Sequence, residues 1–547
     1  MHFDAVLLPA RREAAVAAGH WPDRTINDAL DDCIRACPDR VAITAVRVEA
    51  GDTRRFTYRE LGTMVDRVAV GLSKLGVGRD DVVSMQLPNW WQFTVLYLAC
   101  SRIGAVVNPM MHIFRERELS FMLAHGESKV LVVPKTFRGF DHEAMARGLQ
   151  PSLPALQRVV VIDGGGPDDF DALLTTPQWE RDPDAARILS ASRPSPDDVT
   201  QLIYTSGTTG EPKGVMHSAN TLMANILPYA ARLHLGEDDV VLMASPMAHQ
   251  TGFMYGLMMP VMLRCRAVLQ DIWQPARAVA LVREESVSFT MASTPFLGDL
   301  ARTVDETGLA VPTLRTFLCA GAPIPGPLVE QARRVLGTKI VSAWGMSENG
   351  AMTTTLPEDD DARSCTTDGC ALPGAEVRIA DTEGRTLPAG ETGRLLVRSA
   401  SNFGGYLKRP QWNNTDAKGW FDTGDLARVD AGGYIRIDGR SKDVIIRGGE
   451  NIPVVEIEAL LYRHPAIAQV AIVAYPDERL GERACAIVVP KAGQSLDFAG
   501  MLAFLEMQKV ARQYMPERLV VRDAMPTTPS GKIQKFRLRE MLREGAL

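Results

Sequence analysis

A chain of 547 residues is too long for one compact core and implies roughly three or four structural units. With 46% hydrophobic and 23% charged residues the composition is that of a globular protein, which excludes a disordered or fibrous chain. A net charge of −6 without any Lys/Arg block excludes a global field for nucleic acid or an anionic membrane, so a polyanionic ligand has to be held locally. The N-terminus lacks a basic segment followed by an apolar run, and no window reaches the ~20 apolar residues that span a bilayer. The expected compartment is therefore the cytoplasm, with no membrane partner. Eight cysteines are sparse, and the pairs Cys33/Cys37 and Cys365/Cys370 miss the CxxC zinc spacing, so reduced, non-ligand thiols are expected.

In chain order, Arg59 to Leu75 carries apolar residues at helical spacing, Val82-Val83-Ser84-Met85 is a short apolar run ending at Pro88, and Phe93 to Ile103 is helical again. This alternation predicts α/β layering. It continues through Lys129–Val133, Val159–Ile162 and Val240–Met243 without a fixed period, which excludes a solenoid. Between Ala375 and Asp438 the texture changes to short runs broken by Glu383-Gly384, Ala389-Gly390 and Ala431-Gly432-Gly433, predicting a β-rich subdomain. Beyond Gly439-Arg440-Ser441-Lys442 a last segment reads helix over Glu456–Tyr462, strands over Gln469–Tyr475 and Ala484–Val489, and helix over Phe498–Ala511. The expected division is a large N-terminal α/β domain over 1–441 and a small, mobile α+β lid over 442–547.

The most informative segment is Tyr204-Thr205-Ser206-Gly207-Thr208-Thr209-Gly210-Glu211-Pro212-Lys213-Gly214, after the strand-like Gln201-Leu202-Ile203. Closely spaced glycines let backbone N–H groups reach phosphate oxygens, the hydroxyls add donors, and Lys213 adds positive charge. It is not a Walker loop, because Pro212 precedes the lysine and Gly214 follows it. Nor does a Gly-x-Ser-x-Gly elbow accompany a matching acid and histidine, so a hydrolase triad is not expected.

This loop resembles the signature loop of the adenylate-forming superfamily: acyl-CoA synthetases, luciferases and peptide-synthetase adenylation domains. Further motifs resemble that family's in the same order. They are Phe56-Thr57-Tyr58-Arg59-Glu60-Leu61, Ala320-Gly321-Ala322-Pro323, Trp344-Gly345-Met346-Ser347-Glu348, Gly419 to Asp425, Gly439 to Asp443, and Pro529-Ser530-Gly531-Lys532-Ile533. The resemblance covers nearly the whole chain. It implies an ATP-dependent acid–thiol ligase with ATP, Mg²⁺ and coenzyme A: a carboxylate becomes acyl-AMP with release of pyrophosphate, and the thiol then displaces AMP.

Roles follow by resemblance. Thr205, Ser206, Gly207, Thr208, Thr209, Gly210 and Lys213 cradle the phosphates; Gly321, Ala322 and Pro323 form the nucleotide-side turn beside Trp344, Gly345, Met346 and Ser347. Glu348 is the expected Mg²⁺ ligand, with Thr205 as a second oxygen, since Mg²⁺ prefers oxygen and keeps several waters. Asp425 is expected on the ribose hydroxyls with Arg440 near ribose and phosphate, Lys532 between acid and α-phosphate, and His249 beside the acyl carboxylate. Lys442 matches the hinge, and Gly449 the glycine beside the pantetheine tunnel. Met247, Phe253, Thr294, Phe296, Gly345, Met346, Ala351 and Met352 are the expected acyl-pocket residues, mostly apolar. As a whole the chain is similar to bacterial ligases for alicyclic and medium-chain acids, which implies a compact apolar acid such as cyclohexanecarboxylate. Benzoate-like and straight medium-chain acids stay open, because one methylene is worth only about 1–3 kcal/mol. Loading of a carrier protein is the alternative to CoA; no carrier segment follows Lys532 before Leu547, and Gly448-Gly449-Glu450-Asn451 favours CoA. A homo-oligomer is compatible with the sequence.

Overall fold

The computed structural model describes residues 1–205, 212–321, 324–440, 445–447, 450–477, 481–508, 510, 512–528 and 531–547. Among them, nine strands form one sheet, in the order Cys370–Ala371, Gly350–Thr354, Lys339–Met346, Thr316–Ala320, Phe289–Ala292, Val240–Met243, Arg266–Gln270, Val41–Arg47, Asp52–Thr57. Seven strands form a second, running Gly405–Tyr406, Lys213–Ser218, Val199–Thr205, Val106–Pro109, Val82–Met85, Ser128–Pro134, Arg158–Ile162. The pairings from Lys339–Met346 to Val41–Arg47 in the first sheet and from Val199–Thr205 to Arg158–Ile162 in the second are parallel, while Gly350–Thr354 and Lys213–Ser218 join antiparallel; the parallel strands are short apolar runs buried on both faces.

The helix over Tyr58–Lys74 starts on a capping box: the Glu60 N–H donates to Thr57 Oγ1 at 3.2 Å, and the Thr57 N–H donates to Glu60 Oε2 at 2.8 Å. Together with the helix Trp91–Arg102 it fills the space between the two large sheets. The second helix is mostly apolar, with Gln92, Thr94 and Ser101 as its buried polar residues, and it has no solvent face from Trp91 to Ser101. The central core joins Ile43, Val241 and Phe289 of one sheet to Val83, Val107 and Val130 of the other through these helices.

A four-stranded antiparallel sheet of Ala375–Ala380, Gly393–Ser399, Phe421–Val429 and Ile435–Arg440 follows, where turn chemistry had pointed to β structure. The last unit places strands Ile445–Arg447, Glu450–Ile452, Ile467–Asp477, Gly481–Pro490 and Arg518–Val521 against helices Val454–Leu461, Phe498–Met507 and Lys535–Arg543, around cores of its own. The helix expected over Phe498–Ala511 stops at Met507; Val510 then turns back, its N–H on the Leu505 carbonyl, and packs with Tyr514 on the same core. The expected boundary at 441/442 falls outside the described residues. No helix among the described residues is long and apolar enough to cross a membrane.

Three histidines are enclosed by this packing. Burial pushes His112, His142 and His217 down to about 4, with nearby arginine charge acting in the same direction. Each is neutral in the fold at pH 7 but protonates near 6.5 when unfolded. Between about 6.5 and 4 the unfolded chain therefore binds more protons, and these groups remove stability as pH falls through that window. The melting temperature should drop over this range. His142→Gln, which retains a donor toward Gln86 Oε1, 3.1 Å from His142 Nδ1, should flatten the slope; an unchanged slope would contradict this assignment.

Candidate active site

The expected site residues converge on the carboxyl ends of strands. Thr205 ends Val199–Thr205, Gly321 follows Thr316–Ala320, Glu348 follows Lys339–Met346, and His249 lies on the loop after Val240–Met243. Open α/β sheets place ligands at such ends, because loops there diverge and leave a crevice.

Glu348 is the buried anion of the site, 5% exposed. The Tyr406 hydroxyl donates to its Oε1 at 2.6 Å, and the Phe403 N–H donates to its backbone carbonyl at 2.7 Å. Tyr406 also carries positive charge on its ring face, where the Lys213 ammonium stands 4.7 Å from the centroid and 5.3 Å from that of Trp412. Thr205 and Lys213 are paired across antiparallel strands, which fixes both ends of the loop between them. Ser206, Gly207, Thr208, Thr209 and Gly210 themselves, with Ala322, Pro323, Lys442 and Gly449, lie outside the described residues.

The turn before Glu348 is tightly constrained. A β-carbon on Gly345 would stand 2.1 Å from the Gly350 carbonyl oxygen, so only glycine fits the bulge where this strand meets Gly350–Thr354. Behind it the Ala351 N–H donates to the Tyr255 hydroxyl at 2.8 Å, that hydroxyl to Asn225 Oδ1 at 2.5 Å, and Asn225 Nδ2 back to the Ala351 carbonyl at 2.6 Å. This closed ring of buried bonds holds the strand that supports the turn.

Asp425 is equally buried and accepts a 2.9 Å bond from Trp344 Nε1, so two separately expected nucleotide residues touch directly. The paired backbone of Asp425 and Arg440 joins neighbouring strands, as the expected ribose pairing requires; the Arg440 side chain is outside the description.

Lys532 sits on a tight hairpin. The Thr528 N–H donates to the Lys532 carbonyl at 2.7 Å, and Gly531 takes φ +81°. A β-carbon at Gly531 would meet Pro295 and Ser293 at 3.1 and 3.2 Å, so this loop of the last unit rests on the N-terminal part of the chain. That contact brings the Lys532 charge near enough to act on His249. Burial first, and then the Lys532 charge, push His249 down to about 4. Its Nδ1 accepts the Thr251 N–H at 3.3 Å, so the neutral ring holds its proton on Nε2 and presents a donor there.

The expected acyl-pocket residues do not all share one space. Met247, Phe253 and Ala351 lie together in the central core, where Phe253 packs on Tyr97 at 4.6 Å. Met352 faces the other side of its strand and joins the four-stranded sheet's core, because successive strand residues point oppositely. Phe296 belongs to a third core, against Trp273 at 4.6 Å. Sequence reasoning missed Tyr406, Trp412, Asn225, Tyr255 and His217. The last donates from Nε2 to the Ser347 carbonyl at 2.8 Å, with Nδ1 3.0 Å from Thr221 Oγ1. The Gly404-Gly405-Tyr406 run was the available signal for the first of these.

The match to known families agrees with this arrangement. Residues 30–407 match the AMP-binding enzyme family and residues 456–532 the AMP-binding enzyme C-terminal domain. The chain belongs to the AMP-binding enzyme family, in the adenylate-forming acid–CoA ligase class. It is 36% identical over 533 residues to the medium-chain fatty-acid–CoA ligase of Escherichia coli (strain K12), covering 97% of this chain and 92% of that protein. It is 34% identical over 535 residues to a salicylyl-CoA synthase / salicylate adenylyltransferase of Streptomyces sp, covering 96% and 95%. Among solved structures, ATP-bound MatB from Rhodopseudomonas palustris superposes with a TM-score of 0.81 at 26% identity, covering 96% of this chain and all of the other.

Replacing His217 with Phe keeps the ring volume but strands the Ser347 carbonyl. Denaturant unfolding should show a loss of about 1–3 kcal/mol, the cost of a buried group left without its partner. A loss within error would show that the carbonyl finds another donor.

Proposed function

We propose that the protein activates a compact apolar carboxylic acid with MgATP and transfers the acyl group to coenzyme A, using Lys532 in the first half-reaction. The single observation that supports this most is the Lys532 hairpin resting on Ser293 and Pro295, which brings a cation close enough to act on the neutral His249, so that a charge and a donor are gathered where two anions must meet. Attack of the carboxylate oxygen on the α-phosphorus forms the acyl–phosphate bond and breaks the bond to pyrophosphate. Lys532 offsets the repulsion between the reactants, and His249 Nε2–H orients the acid. Asp425, already fixed by Trp344, accepts from the ribose hydroxyls. In the second half-reaction the CoA sulfur attacks the acyl carbon and AMP leaves. Lys442 as hinge and Gly449 beside the pantetheine path belong to the same proposal.

Magnesium fits the donor set. Glu348 is a buried hard-oxygen donor, Thr205 adds a hydroxyl oxygen at the end of its strand, and among the described residues no cluster of three or more His, Cys, Asp or Glu forms an all-protein cage. An ion held by one carboxylate, phosphates and water suits Mg²⁺ and would supply charge neutralisation on the phosphates. The acid is read from the walls. Met247, Phe253 and Ala351 suit an alicyclic or medium-chain acid such as cyclohexanecarboxylate, and two relatives take a medium-chain acid and salicylate by name. Eight free cysteines are in keeping with a reducing, cytoplasmic compartment.

The deciding measurement is pyrophosphate release across alicyclic, aromatic and linear acids with CoA present, with the largest kcat/KM expected for a compact apolar acid. Glu348→Ala should lower adenylation about a hundredfold, the scale of losing a charge-stabilising group. Lys532→Ala should abolish most acid-dependent pyrophosphate exchange yet still convert supplied acyl-adenylate and CoA to thioester. Equal loss of both activities in folded protein would overturn the role given to Lys532.

A further inference from the structure

Residues ahead of position 30, where the family match begins, form a strap across the segment that grips Glu348. The Leu7 N–H donates to the Gly404 carbonyl at 3.1 Å, and Ala5 and Leu8 stand where a side chain on Gly404 would have to go. Trp21, 2% exposed, donates from Nε1 to the Ala400 carbonyl at 2.8 Å and shares a small core with Leu8 and Ala15. Arg11, on the helix Pro9–Ala17, donates from Nη2 to the Phe403 carbonyl at 2.7 Å, from Nη1 to the Ser399 carbonyl at 3.3 Å, and from Nε to the Leu7 carbonyl at 3.0 Å.

All three bonds end on backbone carbonyls, and among the described residues Arg11 makes no salt bridge. Burial pushes its guanidinium down to about 10, so the charge is held against a desolvation cost without an anion. A rigid fork of donors spent this way fixes the path of a backbone segment. The segment it fixes is the one that matters: the Phe403 N–H holds the Glu348 carbonyl, and Tyr406, three residues on, holds the Glu348 carboxylate.

We infer that Arg11 is a positioning residue for Glu348, with the N-terminal strap locking the 399–406 segment so that the carboxylate is fixed before magnesium nucleotide arrives. The inference rests on the reading of Glu348 as the magnesium carboxylate. Trp21 anchors the same strap through Ala400, and its ring lies 6.0 Å from the Arg11 guanidinium carbon; Trp21→Phe keeps an aromatic ring there, removes the Nε1 bond to Ala400, and serves as the control. Acid-dependent pyrophosphate exchange is measured against Mg²⁺ concentration, with thermal melting alongside, for the full chain and for Arg11→Met, Arg11→Lys, Trp21→Phe and Glu348→Gln.

Arg11→Met should raise the Mg²⁺ needed for half-maximal exchange about tenfold, the lower end of what losing an outer-shell partner does to metal affinity. Trp21→Phe should leave the Mg²⁺ response unchanged whatever it does to melting. Should Arg11→Met not fold, Arg11→Lys carries the test, since a single ammonium cannot reach three carbonyls and should shift the Mg²⁺ response in the same direction. Equal shifts in the Arg11 and Trp21 variants, or none in the Arg11 variants while Glu348→Gln shifts strongly, would overturn the inference and leave the magnesium reading intact. No shift in Glu348→Gln would overturn the magnesium reading itself.

Discussion

The buried Glu348 carboxylate, with the Tyr406 hydroxyl 2.6 Å from it, is the constraint from which the rest of the site follows. A carboxylate taken out of water is costly unless it is hydrogen-bonded and near compensating charge. Tyr406 meets the first need, and Lys213 on the Tyr406 ring face places a cation within the same group. Because Tyr406 pairs with Val215 on the strand that Lys213 begins, the strand pair Val199–Thr205 and Lys213–Ser218 and the carboxylate are built as one unit. His217, two positions further along that strand, reaches the peptide next to Glu348 from below. One strand thus supplies the cation, the contact for the tyrosine and the donor that fixes the turn.

Lys532 obeys a different logic. It comes from the last unit, whose cores are separate from those of the N-terminal part, and its hairpin rests on Ser293 and Pro295 through a glycine that leaves little space. A cation delivered this way can be withdrawn without disturbing any core, which a lysine on one of the central strands could not be. His249 registers its presence: the ring is neutral through burial and is held further from protonation by the Lys532 charge. The two groups thus carry one charge and one donor rather than two repelling cations, which is what the proposed binding of a carboxylate there asks for.

Much of this was legible in the sequence because the chemistry sits in local patterns. Strands such as Val82–Met85 and Val240–Met243 announce themselves as buried apolar runs, and the Thr57/Glu60 box marks a helix start at its cap. Glu348 and Lys532 stand in short turns and Asp425 in a Thr-Gly-Asp run of a strand, each visible as a local motif. What could not be read are the partners. Tyr406 lies 58 positions from Glu348, Trp344 81 from Asp425, His217 130 from Ser347 and Arg11 392 from Phe403. Such pairs are chosen by sheet order and crossover, not by neighbouring residues. The separation of Met352 from Ala351 has the same cause: the two are adjacent in sequence, yet a strand sends them to opposite cores.

That division also bears on how acid preference can change. Met247 and Phe253 are fully buried members of the central core, so two residues expected to shape the acid also hold the large sheets together. Truncating either to alanine would cost about 2–5 kcal/mol through lost burial and the cavity left behind. That is a large fraction of the net stability of about 5–15 kcal/mol typical of a domain. Enlarging the space around these two residues is therefore expensive in folding terms. Met346 and Thr294 are only half-buried and lie at the strand ends that open toward the site, where volume can change with little effect on the core. Methionine in particular re-packs easily, having an unbranched, flexible chain. A change of volume among the expected pocket residues is thus confined to the strand ends by the packing below them, away from the bonds that hold Glu348.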